Sequence, residues 1–457
     1  MKLFDWRWLA VSSLLIGALT ANAEMRPQYG GTVHVTMRDA PTSLDPAASD
    51  KQDSFARRSL TTLIFDTLVV KDRNERIQAS LAISWQASPD NRGWQFRVRP
   101  GVKFHDGTPL TAEIAAASLR TANPSWNVRV EGESVVIEQD GSDAQLLAEL
   151  ALPRNGIAKR NSDESPSGTG PFHVVEWQSG KHLTLAAEED CWHGRPFLDN
   201  IEIEMGKSFR EQMTALELGK ADLVEVAPEQ THRLAAQGRR LASSSPVELL
   251  ALQFARDASS PEEKLLREAL AFSVERGSIR SVLMQGAGQP SGGILPNWMS
   301  GYGFVFPTDA DLPRARHSRE QVRAIPTWTL GYDGGDPLAR LLAERIALNA
   351  KDAGLLLQPT TVATTTLRLL RIPLTSDDPW IALEEVSVQA GLPTAKARHG
   401  SVEDLYGAEA AVLATQRIIP LFHLPVSLAA SPLLKNWTLN DDGCWSLADA
   451  WLESAKP

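Results

Sequence analysis

The sequence lacks the side-chain patterns on which most catalytic and metal sites are built. It has two cysteines and nine histidines in 457 residues. His173, His182 and His193 come closest to a cluster, but their spacing is not that of metal ligands. The motifs H-E-x-x-H, G-x-S-x-G and G-x-x-x-x-G-K-[ST] do not occur in the sequence. Their absence argues against the zinc proteases, α/β-hydrolases and P-loop NTPases that use them. We therefore expect no enzyme activity, no cofactor and no metal site.

Composition excludes further classes of protein. Hydrophobic residues make up 43% of the chain and charged residues 22%, without a long low-complexity run, which argues against a disordered or fibrous protein. A net charge of -10 disfavours nucleic acid or an anionic membrane surface as a partner, but leaves small molecules open. A chain of 457 residues is too long for one simple core, so we expect at least two lobes.

The most apolar run is confined to the N-terminus. Lys2 and Arg7 precede apolar residues 8–19, and Ala21-Asn22-Ala23 follows, which is the layout of a secretory signal cleaved after Ala23. The run is short for a membrane-spanning helix, although an uncleaved anchor is an alternative. We expect residues 1–23 to be a signal peptide, and the mature protein to be soluble and outside the cytoplasm.

The clearest local pattern lies between residues 93 and 120. Residues 94–99 alternate apolar and polar like a half-buried strand, and Pro100-Gly101 ends it. Asp106-Gly107 predicts a tight turn, and Thr111 is placed to cap a helix running to about Arg120. His105, just before the turn, is interpreted as a turn-stabilising residue.

The ordered run GVKFHDGTPLTAE, residues 101–113, resembles a segment of the extracellular solute-binding proteins of family 5. These are the dipeptide, oligopeptide and nickel receptors of ABC importers. Ile114 stands where the family usually has an acidic residue. The resemblance continues in chain order over most of the mature chain, through YGGTV at 29–33, LDP at 44–46, GTGPF at 168–172, CWHGRP at 191–196 and IPLFH at 419–423. It is thinnest over residues 358–410.

Other patterns predict local structure in the rest of the chain. Residues 128–130 and 134–137 predict a hairpin about Gly132. Ser260, followed by Pro261 and Glu263, predicts a capped helix that ends at Gly286. A strand over residues 327–332 and an amphipathic helix over residues 336–353 are predicted next, with Gly354 as the helix stop.

The resemblance implies an α/β fold of the bilobal periplasmic-binding-protein kind, type II-like and class C. Two α/β lobes would be joined by a hinge of crossing strands, with an extra N-terminal domain. The ligand would be enclosed where the lobes meet. The boundaries that it implies are residues 24–46, 166–246 and 432–457 for lobe 1, residues 47–165 for the extra domain, and residues 247–431 for lobe 2.

The resemblance also suggests which residues contact ligand. Thr42 and Ser43 would face the cleft from lobe 1, and Trp298 from lobe 2. In peptide-binding relatives an aspartate of the loop around residues 377–380 helps to hold the ligand's ammonium group. The remaining candidates come from that loop and from a strand end near the cleft, where nickel-binding relatives use a histidine: Asp377, Asp378, Trp380 and His423. The alternative for His423 is a partly buried histidine that closes a strand.

The two cysteines leave two interpretations open. Cys191 and Cys444 stand beside Trp192 and Trp445, in segments that the resemblance places in one lobe. In an oxidising compartment they can form a disulfide. They can equally be two separate small buried side chains.

The resemblance implies a periplasmic solute-binding protein, a monomer, that captures an oligopeptide or similar small solute and delivers it to the ABC permease subunits of the inner membrane. The alternatives are a nickel chelate, haem or an oligosaccharide as ligand, or a sensor or chaperone without transport. Nucleic acid is not an expected partner.

Overall fold

The computed structural model describes residues 26–48, 54–72, 76–87, 93–138, 146–160, 166–392 and 400–453. The predicted signal peptide, residues 1–23, lies outside these ranges. In the described ranges, no helix combines the length and the hydropathy that a membrane span requires.

The secondary structure alternates between short helices and mostly short strands. The strands are β1 (Thr32–Thr36), β2 (Val69–Lys71), β3 (Ile77–Ala79), β4 (Ala82–Ala87), β5 (Gly93–Val98), β6 (Asn127–Glu131), β7 (Ser134–Glu138), β8 (Lys159–Arg160), β9 (Pro166–Ser167), β10 (Phe172–Gln178), β11 (His182–Ala187), β12 (Asn200–Glu204), β13 (Leu223–Glu225), β14 (Leu241–Phe254), β15 (Gln289–Pro290), β16 (Thr327–Gly331), β17 (Leu356–Thr360), β18 (Leu367–Pro373), β19 (Ile418–Ala430), β20 (Leu434–Lys435), β21 (Thr438–Leu439), β22 (Trp445–Ser446) and β23 (Trp451–Leu452). The helices are α1 (Phe55–Ile64), α2 (Ala112–Ala122), α3 (Leu146–Leu150), α4 (Phe209–Glu217), α5 (Thr231–Ala236), α6 (Pro261–Ser273), α7 (Arg276–Ser278), α8 (Asn297–Ser300), α9 (Leu312–Glu320), α10 (Pro337–Asp352), α11 (Pro379–Gln389) and α12 (Val402–Leu413).

One large mixed sheet runs through the molecule. Among the described residues its strand order is β10-β11-β12-β1-β13-β19-β14-β18-β16-β17, and β15 pairs with β19 as an eleventh strand. Strand β1 is parallel to β12 and β13, and β16 is parallel to β17 and β18. We call the part built on β1 and β10–β13 lobe 1, and the part built on β16–β18 lobe 2.

Two long strands, β14 and β19, connect the lobes. They pair with each other in antiparallel register over most of their length. Pro246 of β14 lies opposite Pro425 of β19, and the register shifts on both sides of this pair. Because proline has no backbone N–H, neither residue can donate a hydrogen bond to the ladder. The crossing between the lobes is therefore the point where the sheet is least tightly paired.

Each lobe has an apolar core of its own. In lobe 2, residues 247–254 of β14 are almost entirely buried, as expected of a central strand covered on both faces. Helix α1 packs into the lobe 1 core: Leu60 and Leu63 belong to one cluster with Phe172 and Leu183. That helix falls inside residues 47–165, which were expected to form the extra domain, and the domain boundaries stay predictions.

We use the name extra domain for the part built around a four-stranded sheet in the order β4-β5-β7-β6, together with β2 and α3, which share its apolar core. The predicted hairpin about Gly132 is confirmed, since β6 and β7 pair around this residue and its φ is +59°. The predicted helix is confirmed too: Thr111 caps α2 by accepting a hydrogen bond from the N–H of Ile114. Strand β5 covers most of the predicted strand.

His105 joins the extra domain to lobe 1. Its ring Nε2 lies 3.0 Å from the backbone oxygen of Gly170, and its backbone N–H donates to the backbone oxygen of Gly168. A Cβ at Gly168 would lie 1.9 Å from the backbone oxygen of Ile64, so only glycine fits against α1. The turn at His105 and the glycine loop at residues 168–170 thus contact each other where the two parts meet.

The helix predicted to end at Gly286 ends at Ser273 instead. Ser260 caps it as expected, accepting from the N–H of Glu263. The chain is extended at Val274, and a second helical stretch over residues 276–283 then runs almost to Gly286. At the start of this stretch the buried guanidinium of Arg276 donates to the backbone oxygen of Pro420. The strand and helix predicted over 327–353 are confirmed as β16 and α10, and Gly354 follows with a φ of +80°.

Cys191 and Cys444 are both buried, and they do not form a disulfide with each other. Of the two interpretations that the sequence left open, the structure has the separate buried thiols. Burial raises the pKa of the Cys191 thiol above its ordinary value, so this thiol is protonated at neutral pH.

Candidate functional site

A network of charged side chains lies where the two lobes meet. Arg38 of lobe 1 approaches Glu248 of lobe 2, with 3.7 Å between Nη2 and Oε1. Arg371 then binds both the other oxygen of Glu248, at 3.2 Å, and Asp336 Oδ2, at 3.1 Å. The side chains of Glu248, Arg371 and Asp336 are at most 14% exposed. Charges buried to this degree are normally paired, as these are.

The carboxyl ends of parallel strands supply the lobe 1 side of this network. Arg38 follows β1, and Glu225 ends the neighbouring parallel strand β13. The backbone N–H of Arg38 donates to Glu225 Oε2 at 2.7 Å, and Gln212 of α4 donates to the same oxygen. Loops at this edge of an α/β sheet are where ligands commonly bind.

Burial and neighbouring charges change the pKa values at this interface. Burial raises the pKa of the Glu225 carboxyl above its ordinary value, and the charge of Asp39 adds to the effect. The pKa of Glu229 is also raised, mainly by burial and further by Asp336. Burial alone would lower the pKa of the Arg38 guanidinium, but the carboxylates of Glu248 and Glu225 outweigh it, and the net direction is upward. The arginine therefore stays charged.

An aromatic ring lies beside both arginines. The guanidinium carbon of Arg38 is 5.2 Å from the centroid of the Phe209 ring, and that of Arg371 is 5.9 Å from it. Phe209 is the first residue of α4 in lobe 1, so the Arg371 contact also crosses between the lobes. Both distances are in the range of cation–π attraction.

On the lobe 2 side, Asp336 has two functions. Its Oδ1 accepts from the N–H groups of Leu338 and Ala339 and so caps α10. Its other oxygen binds Arg371. The Asp336 carboxylate is held at the start of α10 by these two N–H groups, and it in turn positions the Arg371 guanidinium at the interface between the lobes.

The predicted ligand residues of the loop around residues 377–380 are all engaged by the protein itself. Asp377 forms an ion pair with Lys71 of the extra domain. Asp378 caps α11 by accepting from the N–H groups of Trp380 and Ile381, and burial raises the pKa of its carboxyl. The Trp380 ring is buried in a lobe 2 core cluster, with 9% exposure.

Trp298 contacts the crossing strand β14, and His423 is part of the crossing strand β19. Trp298 is 43% exposed, and its Nε1 donates to the backbone oxygen of Pro246 at 3.1 Å. His423 lies within β19, and its Nε2 is 2.9 Å from the backbone oxygen of Ile294. Burial lowers the pKa of His423 to about 4, against the small upward effect of that hydrogen bond. The imidazole is therefore neutral at pH 7, with its Nε2 donating.

Thr42 and Ser43 lie in the turn after β1. The backbone oxygen of Thr42 accepts from the hydroxyl of Ser179 at 2.9 Å, and Ser43 Oγ accepts from the N–H of Asp45 at 3.1 Å. Both hydrogen bonds stay within lobe 1. For all seven predicted residues, contact with ligand stays a prediction.

Sequence reasoning missed the residues of the charged network itself. The available signal was weak: Arg38 and Asp39 directly follow a strand, and Asp336 directly precedes a helix. Glu248 and Arg371 lie inside strands, where an isolated charge in an apolar segment gives no indication of its partner. In the described ranges, no group of three or more His, Cys, Asp or Glu side chains is placed to hold a metal ion.

Comparison with known proteins identifies the relatives of this chain. Residues 76–372 match the family model described as "Bacterial extracellular solute-binding proteins, family 5 Middle". The chain is similar to the oligopeptide-binding protein AppA of Bacillus subtilis, with 23% identity over 66% of this chain and 59% of that protein. It is also similar to the nickel-binding protein NikA of Staphylococcus aureus, with 24% identity over 47% of each chain. The matched regions thus span less than two thirds of these relatives' lengths.

A solved structure has the same fold over nearly the whole chain. It is the dipeptide binding protein from Pseudoalteromonas sp. SM9913 in complex with Met-Leu, with a TM-score of 0.79 and 15% identity. The match covers 93% of this chain and 100% of that one. The predicted bilobal α/β fold is therefore confirmed.

Proposed function

Because the chain belongs to the bacterial extracellular solute-binding proteins of family 5, we propose that it captures a small solute between its lobes in the periplasm and delivers it to an ABC importer. The solute we propose is an oligopeptide, and the partners are the permease subunits of that importer. The family consists of binding proteins, and we propose no catalytic step for this member.

The observation that carries the proposal is the interface between the lobes. Two lobes connected through β14 and β19 can open at the Pro246–Pro425 crossing and enclose a ligand on closing. Such closure exposes different protein shapes to a permease in the free and loaded states. Ligand binding then needs only a higher affinity for the closed form.

The charges at the interface suit a zwitterionic ligand. Arg38 and Arg371 are guanidinium groups of the kind that bind a carboxylate. The charge of Asp336 raises the pKa of Glu229, and we propose that these two carboxyl groups accept an ammonium group together with Asp377, which binds Lys71 through Oδ2 and would offer the ligand its other oxygen. A peptide carries both groups on a flexible backbone, so charges of both signs at one cleft favour it over a neutral sugar.

A nickel chelate is less well supported by the same residues. His423, the histidine that the resemblance connects with nickel, is buried and donates its Nε2 proton to Ile294. To bind a metal it would have to leave that hydrogen bond and the apolar surroundings that keep it neutral. We therefore place a peptide first and a chelate second.

Purification of the mature protein without denaturation, followed by native mass spectrometry, tests the proposal. Thermal unfolding would then be measured with di- to pentapeptides, the nickel–histidine complex, haem and oligosaccharides. A ligand at 100 times its Kd adds about 2.7 kcal/mol to the free energy of unfolding. We expect the shift with peptides. A shift with the nickel complex or haem alone would overturn the peptide assignment, and a shift with none would contradict solute binding.

The Asp377→Asn variant tests the ammonium contact, and Asp309→Asn, on an exposed loop of lobe 2, is the matched control. We expect unchanged peptide binding for Asp309→Asn, and weaker binding for Asp377→Asn than for Lys71→Met, which breaks the same ion pair but keeps the carboxylate. Asp378 is unsuitable for this test because it caps α11, so its replacement would also disturb the helix. Equal peptide affinity of Asp377→Asn and Asp309→Asn would remove Asp377 from the site.

A further inference from the structure

Two ion pairs connect the extra domain to one helix of lobe 2. Lys71, the last residue of β2, binds Asp377 just before α11. Arg154, in the turn after α3, binds Glu385 within α11. Asp377 precedes the first residue of α11 by two positions, and Glu385 is about 9 Å along the helix from that first residue. The extra domain therefore contacts α11 at two separate points, near its start and beyond its middle.

The Arg154 contact is held in place from both sides. Glu149 binds the guanidinium of Arg154 through two hydrogen bonds, from Nε at 2.8 Å and from Nη2 at 2.5 Å, which leaves Nη1 for Glu385. On lobe 2, the hydroxyl of Thr375 donates to the second oxygen of Glu385. Burial alone would lower the pKa of Arg154, but the charges of Glu149 and Glu385 raise it above its ordinary value. An arginine held this way loses little side-chain freedom when it binds.

The extra domain itself is attached to lobe 1. His105 contacts the backbone oxygen of Gly170, and Arg160 binds Asp45 at 2.6 Å. The strand that carries Lys71 and the helix that precedes Arg154 share one apolar core, which contains Val69. Lys71 and Arg154 are therefore attached to lobe 1 through the extra domain, and their ion pairs with lobe 2 act between the two lobes.

All three ion pairs that reach lobe 2 from the rest of the described chain have the same polarity. The cations are Arg38, Lys71 and Arg154, and lobe 2 supplies the carboxylates. Arg38 binds close to the crossing strands, whereas the other two bind α11. Pairs distant from a hinge must separate when the hinge opens.

From this geometry we propose that the extra domain is an electrostatic clamp on lobe 2: Lys71 and Arg154 hold α11, and with it lobe 2, in the closed position without any ligand. The clamp depends on the lobes being movable, but not on what they bind. It makes the resting position of the protein depend on ionic strength. A ligand then binds to a protein whose lobes already favour the closed position.

The test measures the distance between the lobes in the full mature chain without ligand. Spin labels on Glu217→Cys of lobe 1 and Lys351→Cys of lobe 2, both exposed positions, report it by pulsed electron resonance. We compare the labelled protein that keeps Lys71 and Arg154 with the labelled double variant Lys71→Met, Arg154→Met. Two ion pairs of this exposure should change the closed-to-open ratio by about 2- to 30-fold.

The matched control is the double variant Lys159→Met, Arg129→Met. These two cations pair with Asp106 and Glu138 inside the extra domain, so the same charge is removed without touching lobe 2. We expect its distance distribution to equal that of the parent. Raising the salt from 0.05 to 0.5 M should open the parent and leave the clamp variant almost unchanged.

The exchanged pair, Lys71→Asp with Asp377→Lys, separates a lost clamp from a damaged fold. We expect it to recover a larger closed population than Lys71→Asp alone. Equal distance distributions for the clamp variant and the control would overturn the clamp, as would a parent that is open at low salt. These measurements are made without ligand, and Arg154 and Glu385 belong to no proposed ligand contact, so the clamp and the peptide assignment can fail separately.

Discussion

Replacement of Arg371 by methionine is expected to destabilise lobe 2 strongly. Arg371 is the cation between Glu248 and Asp336, at 3.2 and 3.1 Å from their oxygens. Methionine keeps much of the apolar length of the side chain but removes the charge. Two carboxylates that are 12% and 6% exposed would then face each other without the guanidinium.

The size of the effect follows from what each carboxylate keeps. Removing one member of a buried ion pair commonly costs about 3–5 kcal/mol. Asp336 retains two backbone donors as a helix cap, and Glu248 retains Arg38 at 3.7 Å. We therefore expect a loss of about 2–3 kcal/mol in the free energy of unfolding, which lowers the melting temperature of a unit this size by about 4–12 °C.

Differential scanning calorimetry measures this loss, with Arg368→Met as the control. Arg368 is an exposed arginine of the same strand, and its replacement should change stability by less than about 0.5 kcal/mol. The double variant Arg371→Met, Glu248→Gln should recover about 1 kcal/mol, because one of the stranded charges is gone. The reasoning fails if Arg371→Met melts with the parent, or if the effects of the two changes simply add.

Two further predictions concern a buried histidine and a glycine. The folded-state pKa of His423, about 4, lies below its unfolded value, so the unfolded chain takes up a proton first as the pH falls from 6.5 to 4, and about 3 kcal/mol of stability is lost over that range. Chemical denaturation at several pH values should show this slope reduced in His423→Gln, and an unchanged slope would contradict the assignment. In Gly168→Ala, the new methyl group meets a backbone oxygen at 1.9 Å, whereas Gly277→Ala meets nothing within 4 Å. We expect a loss of about 1–3 kcal/mol or more in the first variant and little in the second, and equal melting temperatures would refute the packing argument.

The sequence predicts those parts of the fold that depend on local chemistry. The cap at Thr111, the turn at Gly132 and the helix that begins after Asp336 all use residues whose effect is exerted within a few positions. The helix expected to reach Gly286 shows the limit of this reasoning. It is interrupted after Ser273, close to the point where Arg276 donates a hydrogen bond to Pro420, 144 positions away in the chain.

The candidate site is less predictable for the same reason. Lys71 and Asp377 are 306 positions apart in the chain, and neither has a local pattern that identifies the other as its partner. The resemblance indicated the loop of Asp377, but not that a lysine of the extra domain occupies it. Glu248 and Arg371 pair across adjacent strands, and this register is set by the whole sheet rather than by either segment.

The proline pair at the crossing has a mechanical consequence. Pro246 and Pro425 face each other where β14 and β19 pass from one lobe to the other, and neither has a backbone proton. Rotation about this point stretches no backbone hydrogen bond between the two prolines, and on the lobe 1 side of the pair side-chain hydrogen bonds join the strands, from the N–H of Val426 to Ser244 Oγ and between the hydroxyls of Ser243 and Ser427. If the lobes rotate at this point, the ion pairs that lie away from it, such as Arg154 with Glu385, change length most. Substitution of these surface charges would then change the resting angle between the lobes without altering the sheet.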